Sequence, residues 1–500
     1  MIHRLFIALL LLLQIFFLVL TIRYYAQLIW VARLFRLIAI VTALHLLTSD
    51  QPAAFKTSLV FLLLLFPLFG GLFYWIFHYQ TTTVGFRRAL NRVTHETAPA
   101  HALIPSPDED FAGLTPESVK LIHYLNKVPG FPIRARTDTK YFATGSEFMG
   151  SLLEQLQLAK RYIFIEFFII GEGVFWNSVL EILTQKAKDG VDVRVIYDDL
   201  GSFVTLPPHY ERKLRDLGIK CQRFNRFRPF LTSIQNNRDH RKIISIDGRV
   251  AFTGGMNLAD EYIHLRIRFG HWKDAAIMLT GDGAWSFTVM FLQMWAFLSR
   301  TPEDCQAYLP SETDPPISSV GWVQPYTDSP MDRENVGEQV YLQMISNARR
   351  YLYVTTPYLA VDNNILSALK LSAKSGVDVR IITPHVPDKR LVHFTTRSYY
   401  PELLRHGVKI YEYKSGFIHS KNMVADDLMA TVGTVNLDFR SLYLHFECGV
   451  CLYRTDSILA IKEDFLATLD DCREFTLRDC KSNFLLRFFG AVCRLFAPMM

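Results

Sequence analysis

Four residue types occur twice in this chain in one register. His240, Lys242, Asp247 and Asn257 return as His419, Lys421, Asp426 and Asn436, each 179 residues later. The repeat extends beyond these motifs. Residues 159–165 (AKRYIFI) answer 348–354 (ARRYLYV), each a helix end feeding a buried strand. Residues 187–196 (AKDGVDVRVI) answer 373–382 (AKSGVDVRII), which read as helix, glycine cap and strand. A chain built this way must fold twice into one α/β unit. The expected halves are 131–310 and 319–475, split near Gln306–Ser319. Neither half holds both motif histidines, so the halves are expected to face each other across one shared site.

Within the first motif, Lys242–Ile246 and Arg249–Thr253 are rich in β-branched and apolar residues and are joined by Asp247-Gly248, a type I′ hairpin signal. Folding there returns Asn257 towards His240. His240 and Lys242 are two apart and share a strand face, whereas Asp247 sits at the remote turn and reads as structural support. The expected site thus offers two imidazoles, two ammonium groups and two carboxamides, with no metal-ligand cluster of obvious spacing. Histidine can act as nucleophile or as acid and base near neutral pH, and lysine and asparagine can hold an anion's oxygens. A phosphodiester fits: one histidine attacks phosphorus while the other protonates the leaving alkoxide, and the roles then reverse. Each histidine needs an orienting acid. Asp274 in Trp272-Lys273-Asp274 and Glu447 in His445-Phe446-Glu447 are the candidates, with their pairing open.

Half of the residues are hydrophobic, an excess for a soluble protein that the ends account for. Leu5–Ile22 is apolar over about a bilayer's thickness and no small-residue cleavage site follows, so it reads as an anchor rather than a signal peptide. Leu59–Phe77 is a second apolar run, with Pro67, Gly70 and Gly71 inside it. Ile29–Leu47, broken by Arg33, Arg36 and His45, reads as interfacial, with a third crossing as the alternative. Basic residues flank the spans equally and leave the orientation open. The expected layout is a membrane anchor over residues 1–80 with two transmembrane helices, a linker over 81–130, the two halves, and an amphipathic segment over 480–500. The alternative for the last is a helix docked on the core.

Glu166 lies in an apolar run, where an unpaired carboxylate would be costly, and is expected to face the cleft or a basic partner. Cys448 and Cys451 have redox or zinc spacing but lie in a predicted strand without a second pair, which argues against either role. The chain's seven cysteines read as free of disulfide dependence. The basic, aromatic stretch Arg223–Phe230 suits nucleic acid, an anionic lipid interface or a solvated loop, and a net charge of +6 decides nothing alone.

The motifs, of form His-x-Lys-x4-Asp-x6-Gly-(Gly/Thr)-x-Asn, resemble those of the phospholipase D superfamily. The whole chain, from the apolar N-terminal spans through Asn436–Ser441 and Phe446-Glu447 to Phe496-Ala497-Pro498, resembles bacterial cardiolipin synthases. Lys273 departs mildly from the usual Trp-Arg-Asp and keeps its charge. The resemblance implies an α/β fold of two phospholipase D-like α/β/α sandwich halves, preceded by two transmembrane helices in the bacterial inner membrane. It implies that two phosphatidylglycerols are joined into cardiolipin with release of glycerol, without a metal or other cofactor. The intermediate would be a phosphatidyl-histidine, with His240 as nucleophile and His419 as general acid and base. It also counts Asp247 and Asp426 among the site residues. The expected partners are phosphatidylglycerol, other anionic phospholipids and the membrane, not nucleic acid. Hydrolysis, transfer to another head-group alcohol, a superfamily nuclease and a silent membrane scaffold are the alternatives.

Overall fold

The computed structural model describes every residue except 1–15, 17–18, 20–22, 24, 67–69, 72–73, 76–80, 108–110, 112, 228–232, 312–316, 318 and 481–483. The chain forms two compact units. One comprises Met1–Phe86, Phe227–Asn236 and Leu495–Met500; the other comprises Arg87–Arg226 and Asn237–Arg494.

In the first unit, helix Tyr25–Thr48 is followed by helix Ala53–Leu65, with Pro52 at the second helix's N-cap. The Trp75 indole donates to Thr42 Oγ1 at 2.8 Å. At Gly71 an added Cβ would stand 2.9 Å from Ile38 Cγ2, so only glycine lets the backbones approach this closely. Much of the apolar surface stays uncovered, including Trp30, Leu34, Leu37, Ile40 and Leu44. Among the described residues no helix is long and apolar enough to cross a membrane. The expected span Leu5–Ile22 lies outside the described residues except for Phe16 and Val19, and Leu59–Phe77 is described only in part.

The second unit contains both α/β halves. The first is a seven-stranded sheet ordered Thr137–Phe142, Ala276–Gly281, Val250–Gly254, Lys242–Ile246, Tyr162–Phe167, Asp192–Asp198 and Lys220–Phe224. The second repeats that order with Trp322–Asp328, Glu447–Tyr453, Met429–Gly433, Asn422–Ala425, Tyr351–Thr355, Asp378–Pro384 and Lys409–Tyr413, and adds Cys472–Phe475 at the edge. In both, the motif strand runs antiparallel to the buried strand Tyr162–Phe167 or Tyr351–Thr355. The halves meet where Thr253 Oγ1 lies 3.5 Å from Cys448 Sγ and where Arg134 pairs with Val323. Helix Asp282–Ser299, apolar on all sides, is buried from Gly283 to Ala296, with Phe291 stacked 4.6 Å from Phe164.

Residues 81–130, expected as a linker, contain helix Thr81–Thr97 and helix Pro116–Lys127, and Leu121, Ile122 and Leu125 of the latter are fully buried. Thr115 caps that helix by accepting from Ser118 N at 3.2 Å, and Pro116 takes the first position, where its missing N–H costs nothing.

Candidate active site

Each motif histidine stands where a strand of its own half meets a segment of the other half. His240 N donates to Phe446 O at 2.9 Å, and Phe446 N donates to Arg238 O at 2.9 Å. In the mirror arrangement Gly416–Ile418 runs parallel to His271–Lys273, and His419 N donates to Lys273 O at 2.7 Å. These stitches place the residue after Phe446 beside His240 and the residue after Lys273 beside His419. The acids are therefore exchanged between halves. Glu447 Oε2 lies 2.9 Å from His240 Nδ1, and Asp274 Oδ2 lies 2.7 Å from His419 Nδ1.

The six groups His240, Lys242, Asp274, His419, Lys421 and Glu447 are all buried and feel one another's charge. Lys242 Nζ donates to His240 O at 2.6 Å, and Lys421 Nζ donates to His419 O, so each ammonium is held by its own motif's backbone. His419 Nδ1 is also 2.8 Å from Lys421 Nζ. A neutral ring nitrogen serves one partner, and His419 Nδ1–H donates to the ionised Asp274. With Nδ1 occupied in both histidines, Nε2 is the nitrogen left for chemistry.

Burial, then the neighbouring cations, lowers both imidazoles: His240 well below its ordinary value and His419 to about 4. Burial lowers Lys242 to about 8 and Lys421 to about 7. The acids diverge. Burial pushes Glu447 up to about 8 against the pull of Lys242. Burial also pushes Asp274 up, but Lys421 and His419 together outweigh it and leave it below the carboxylate range. An anion between the two lysines would restore their protons, which suits the site to a phosphodiester.

Thr434 O–H donates to Glu447 Oε2. The equivalent position in the first half is Gly255, where an added Cβ would stand 2.0 Å from Asp274 Oδ1. Asn257 accepts from Ile169 N at 3.1 Å and donates to Tyr262 Oη at 2.6 Å, and the Tyr262 ring lies 5.9 Å from His419. Asn436 Oδ1 is buried without a hydrogen-bond partner among the described residues.

Asp247 and Asp426 are not brought into this cluster. Each lies about 16 Å along its strand from the motif lysine. Asp247 accepts from Lys160, Arg161 and Tyr162 N at 2.8, 2.9 and 2.8 Å. Asp426 accepts from Arg349, Arg350 and Tyr351 N at 2.7, 2.8 and 3.0 Å. Both have positive φ, 54° and 58°, and they tie hairpin to neighbouring strand. Their place among the site residues rests on the resemblance alone.

His445 escaped the sequence reading. Its ring lies 5.7 Å from that of His240, its Nδ1 is 3.9 Å from Glu447 Oε1, and neither ring nitrogen has a hydrogen-bond partner among the described residues. His240, His445 and Glu447 carry ligand atoms within 4.8 Å of one another. The two buried ammonium groups beside them oppose a cation there and favour an anion.

Of the other residues singled out, Glu166 pairs with Arg241 at 2.5 Å, the basic partner expected of it. All seven cysteines are free, and Cys448 and Cys451 lie in strand Glu447–Tyr453. Arg223 is engaged by Asp199 and Glu211, each at 3.0 Å.

The family model described as "Cardiolipin synthase, PLD-like domain" matches residues 152–267 and 341–469. The chain is 38% identical over 386 residues to a cardiolipin synthase of Alkalihalophilus pseudofirmus, covering 76% of this chain and 75% of that one. It is 32% identical over 484 residues to a cardiolipin synthase of Halalkalibacterium halodurans, covering 94% and 95%. It is 41% identical over 463 residues to an uncharacterized protein of Streptococcus mutans, covering 92% and 99%. Among solved structures, phosphatidylserine synthase of Haemophilus influenzae shares the fold with a TM-score of 0.59 at 15% identity, covering 77% of this chain and all of that one.

Proposed function

The chain belongs to the cardiolipin synthase family of phospholipase D-like proteins, and from that premise we propose that it joins two phosphatidylglycerol molecules into cardiolipin with release of glycerol. The observation that carries this reading is the crossed pair of histidine–acid dyads around two buried lysines.

In the proposed sequence the phosphodiester of the first phosphatidylglycerol lies between Lys242 and Lys421, whose ammonium groups hold its non-bridging oxygens and the charge that builds on them. Glu447 fixes the His240 Nδ1 proton, leaving the Nε2 lone pair to attack phosphorus. The bound phosphodiester anion adds to the pull of ionised Asp274 and puts a proton on His419 Nε2; as the bond to the glycerol oxygen breaks, Nε2 gives that oxygen its proton. Glycerol departs and phosphatidyl-His240 remains. A glycerol hydroxyl of the second phosphatidylglycerol then gives its proton to His419 and attacks phosphorus, expelling His240 and forming cardiolipin. The divergence of the two acids supports this division of labour. Asp274, held ionised, suits the histidine that must become a full imidazolium, and Glu447, raised by burial but supported as an acceptor by Lys242 and Thr434, suits the one that needs only its Nδ1 proton held. The roles of Asn257 and Asn436 are substrate orientation.

The protein is further proposed to be anchored in the bacterial cell membrane by two N-terminal spans. The apolar runs Leu5–Ile22 and Leu59–Phe77 support this, as do the exposed apolar side chains of helix Tyr25–Thr48. The C-terminal helix Phe484–Phe496, with Phe484, Leu485, Phe488 and Phe489 exposed, suits a bilayer interface.

The test is to supply the purified protein with phosphatidylglycerol and no added metal, then resolve the products by mass. Cardiolipin with glycerol is expected. Phosphatidic acid alone would make water the acceptor, and no phospholipid turnover would overturn the lipid reading.

A further inference from the structure

The catalytic groups are buried, so a substrate must pass the loops around them, and two of those loops carry exposed apolar side chains. In the first, Val204 is 90% exposed and Phe203 63%. In the second, Ile267 is 86% exposed and Leu265 60%. Exposed apolar side chains concentrated on loops mark an interaction surface more than a scatter of single residues does.

Both loops are tied to the site. The first turns at Gly201, where an added Cβ would meet Phe168 O at 2.2 Å, and the Phe168 ring lies 5.0 Å from that of His240. The second follows the turn Asp260–Ile263, whose Tyr262 ring lies 5.9 Å from that of His419. Each loop is thus one residue removed from one motif histidine. They also share a seat: an added Cβ on Gly171 would lie 3.3 Å from Ala259 and 3.5 Å from Thr205. Glu172 N donates to Thr205 O at 3.2 Å, and Leu265 N donates to Asp260 O at 3.1 Å. Arg266 and Arg268 flank Ile267 and are exposed, although Arg268 also lies 3.6 Å from Glu261 Oε1.

We propose that the loops Leu200–Val204 and Leu265–Arg268 together form a rim that seats the mouth of the active site on an anionic lipid bilayer. The apolar tips enter the acyl boundary while Arg266 and Arg268 meet lipid phosphates, so that a phospholipid head group reaches the buried lysines without its chains leaving the bilayer. A protein partner would equally cover apolar tips, but the paired arginines and a substrate that resides in the membrane favour lipid. This surface rests on the phospholipid reading given under Proposed function.

The test uses full-length protein in nanodiscs of phosphatidylglycerol and brominated phospholipid. A fluorophore is attached at Val204→Cys, at Ile267→Cys or, as a control, at Leu158→Cys, with the wild-type labelling subtracted. Leu158 is 61% exposed and lies at the opposite end of the strand that leads to Phe168. Quenching at the two rim positions at least about twofold that at Leu158 is expected. Equal quenching at all three, or none at the rim, would overturn the proposal. This arm needs no turnover, so it can succeed where the reaction assigned to the site fails.

The Val204→Asp, Ile267→Asp double variant adds a second readout. Turnover of bilayer phosphatidylglycerol should fall roughly tenfold, with turnover of a monomeric dihexanoyl analogue unchanged. Equal loss on both substrates would make the loops merely structural and would also overturn it.

Discussion

Glu447, from the second half of the chain, lies 2.9 Å from Nδ1 of His240 in the first. Asp274 returns the exchange at 2.7 Å from His419. Each half therefore supplies a histidine that the other half orients, and neither holds a complete dyad. This geometry ties the activity to the joined pair rather than to one repeat.

Replacing either acid by its amide should leave the fold and remove the orienting charge. Glu447→Gln and Asp274→Asn are each expected to lower turnover roughly 10²–10⁴-fold, with melting temperatures near wild type. Turnover within twofold of wild type for Glu447→Gln would detach that acid from the mechanism.

The two lysines set an alkaline limit. With Lys421 lowered to about 7 and Lys242 to about 8, each is charged below that pH and neutral above it. The capacity to hold a phosphodiester is then present on the acid side and lost as pH rises. A fall in kcat/KM above about pH 7–8 is expected. Lys421→Arg, which keeps its charge throughout, should move that limb upward if it remains active. An unmoved limb would assign it to another group.

Asp247 and Asp426 each accept three backbone N–H groups far from the histidines. Asp247→Asn is expected to cost roughly 1–3 kcal/mol of stability, read by denaturant melts, while the folded fraction keeps its turnover. A stable but inactive variant would restore a chemical role for this residue.

Thr434 O–H supports the ionised form of Glu447. Its loss in Thr434→Val should push that carboxyl higher and slow turnover roughly fivefold to tenfold, with little change in KM. A change confined to KM would place Thr434 at the substrate rather than behind Glu447.

Much of this architecture was legible in the chain, and the residues explain which parts. The hairpin at Asp247-Gly248 could be read because both positions need positive φ, and they have it, at 54° and 72°. The halves could be read because their flanks repeat, and the two sheets repeat the order of seven strands. The crossed pairing of acids could not, because it is set by contacts between Asp239 and Phe446 and between Ile418 and Lys273, which no local pattern encodes. His445 was hidden for the same reason: beside an acid in sequence, it gains meaning only when His240 arrives from 205 residues away. The helix at Pro116–Lys127 was missed although Thr115-Pro116-Glu117-Ser118 is a helix-start signature, because the prolines upstream suggested a linker.

The most direct measurement of the central claim is where the phosphatidyl group attaches. His419→Ala, incubated with phosphatidylglycerol, quenched and digested, should carry a phosphatidyl mass on the peptide containing His240, while His240→Ala should carry none. An adduct on His419 in His240→Ala, or no histidine adduct in either variant, would contradict the account.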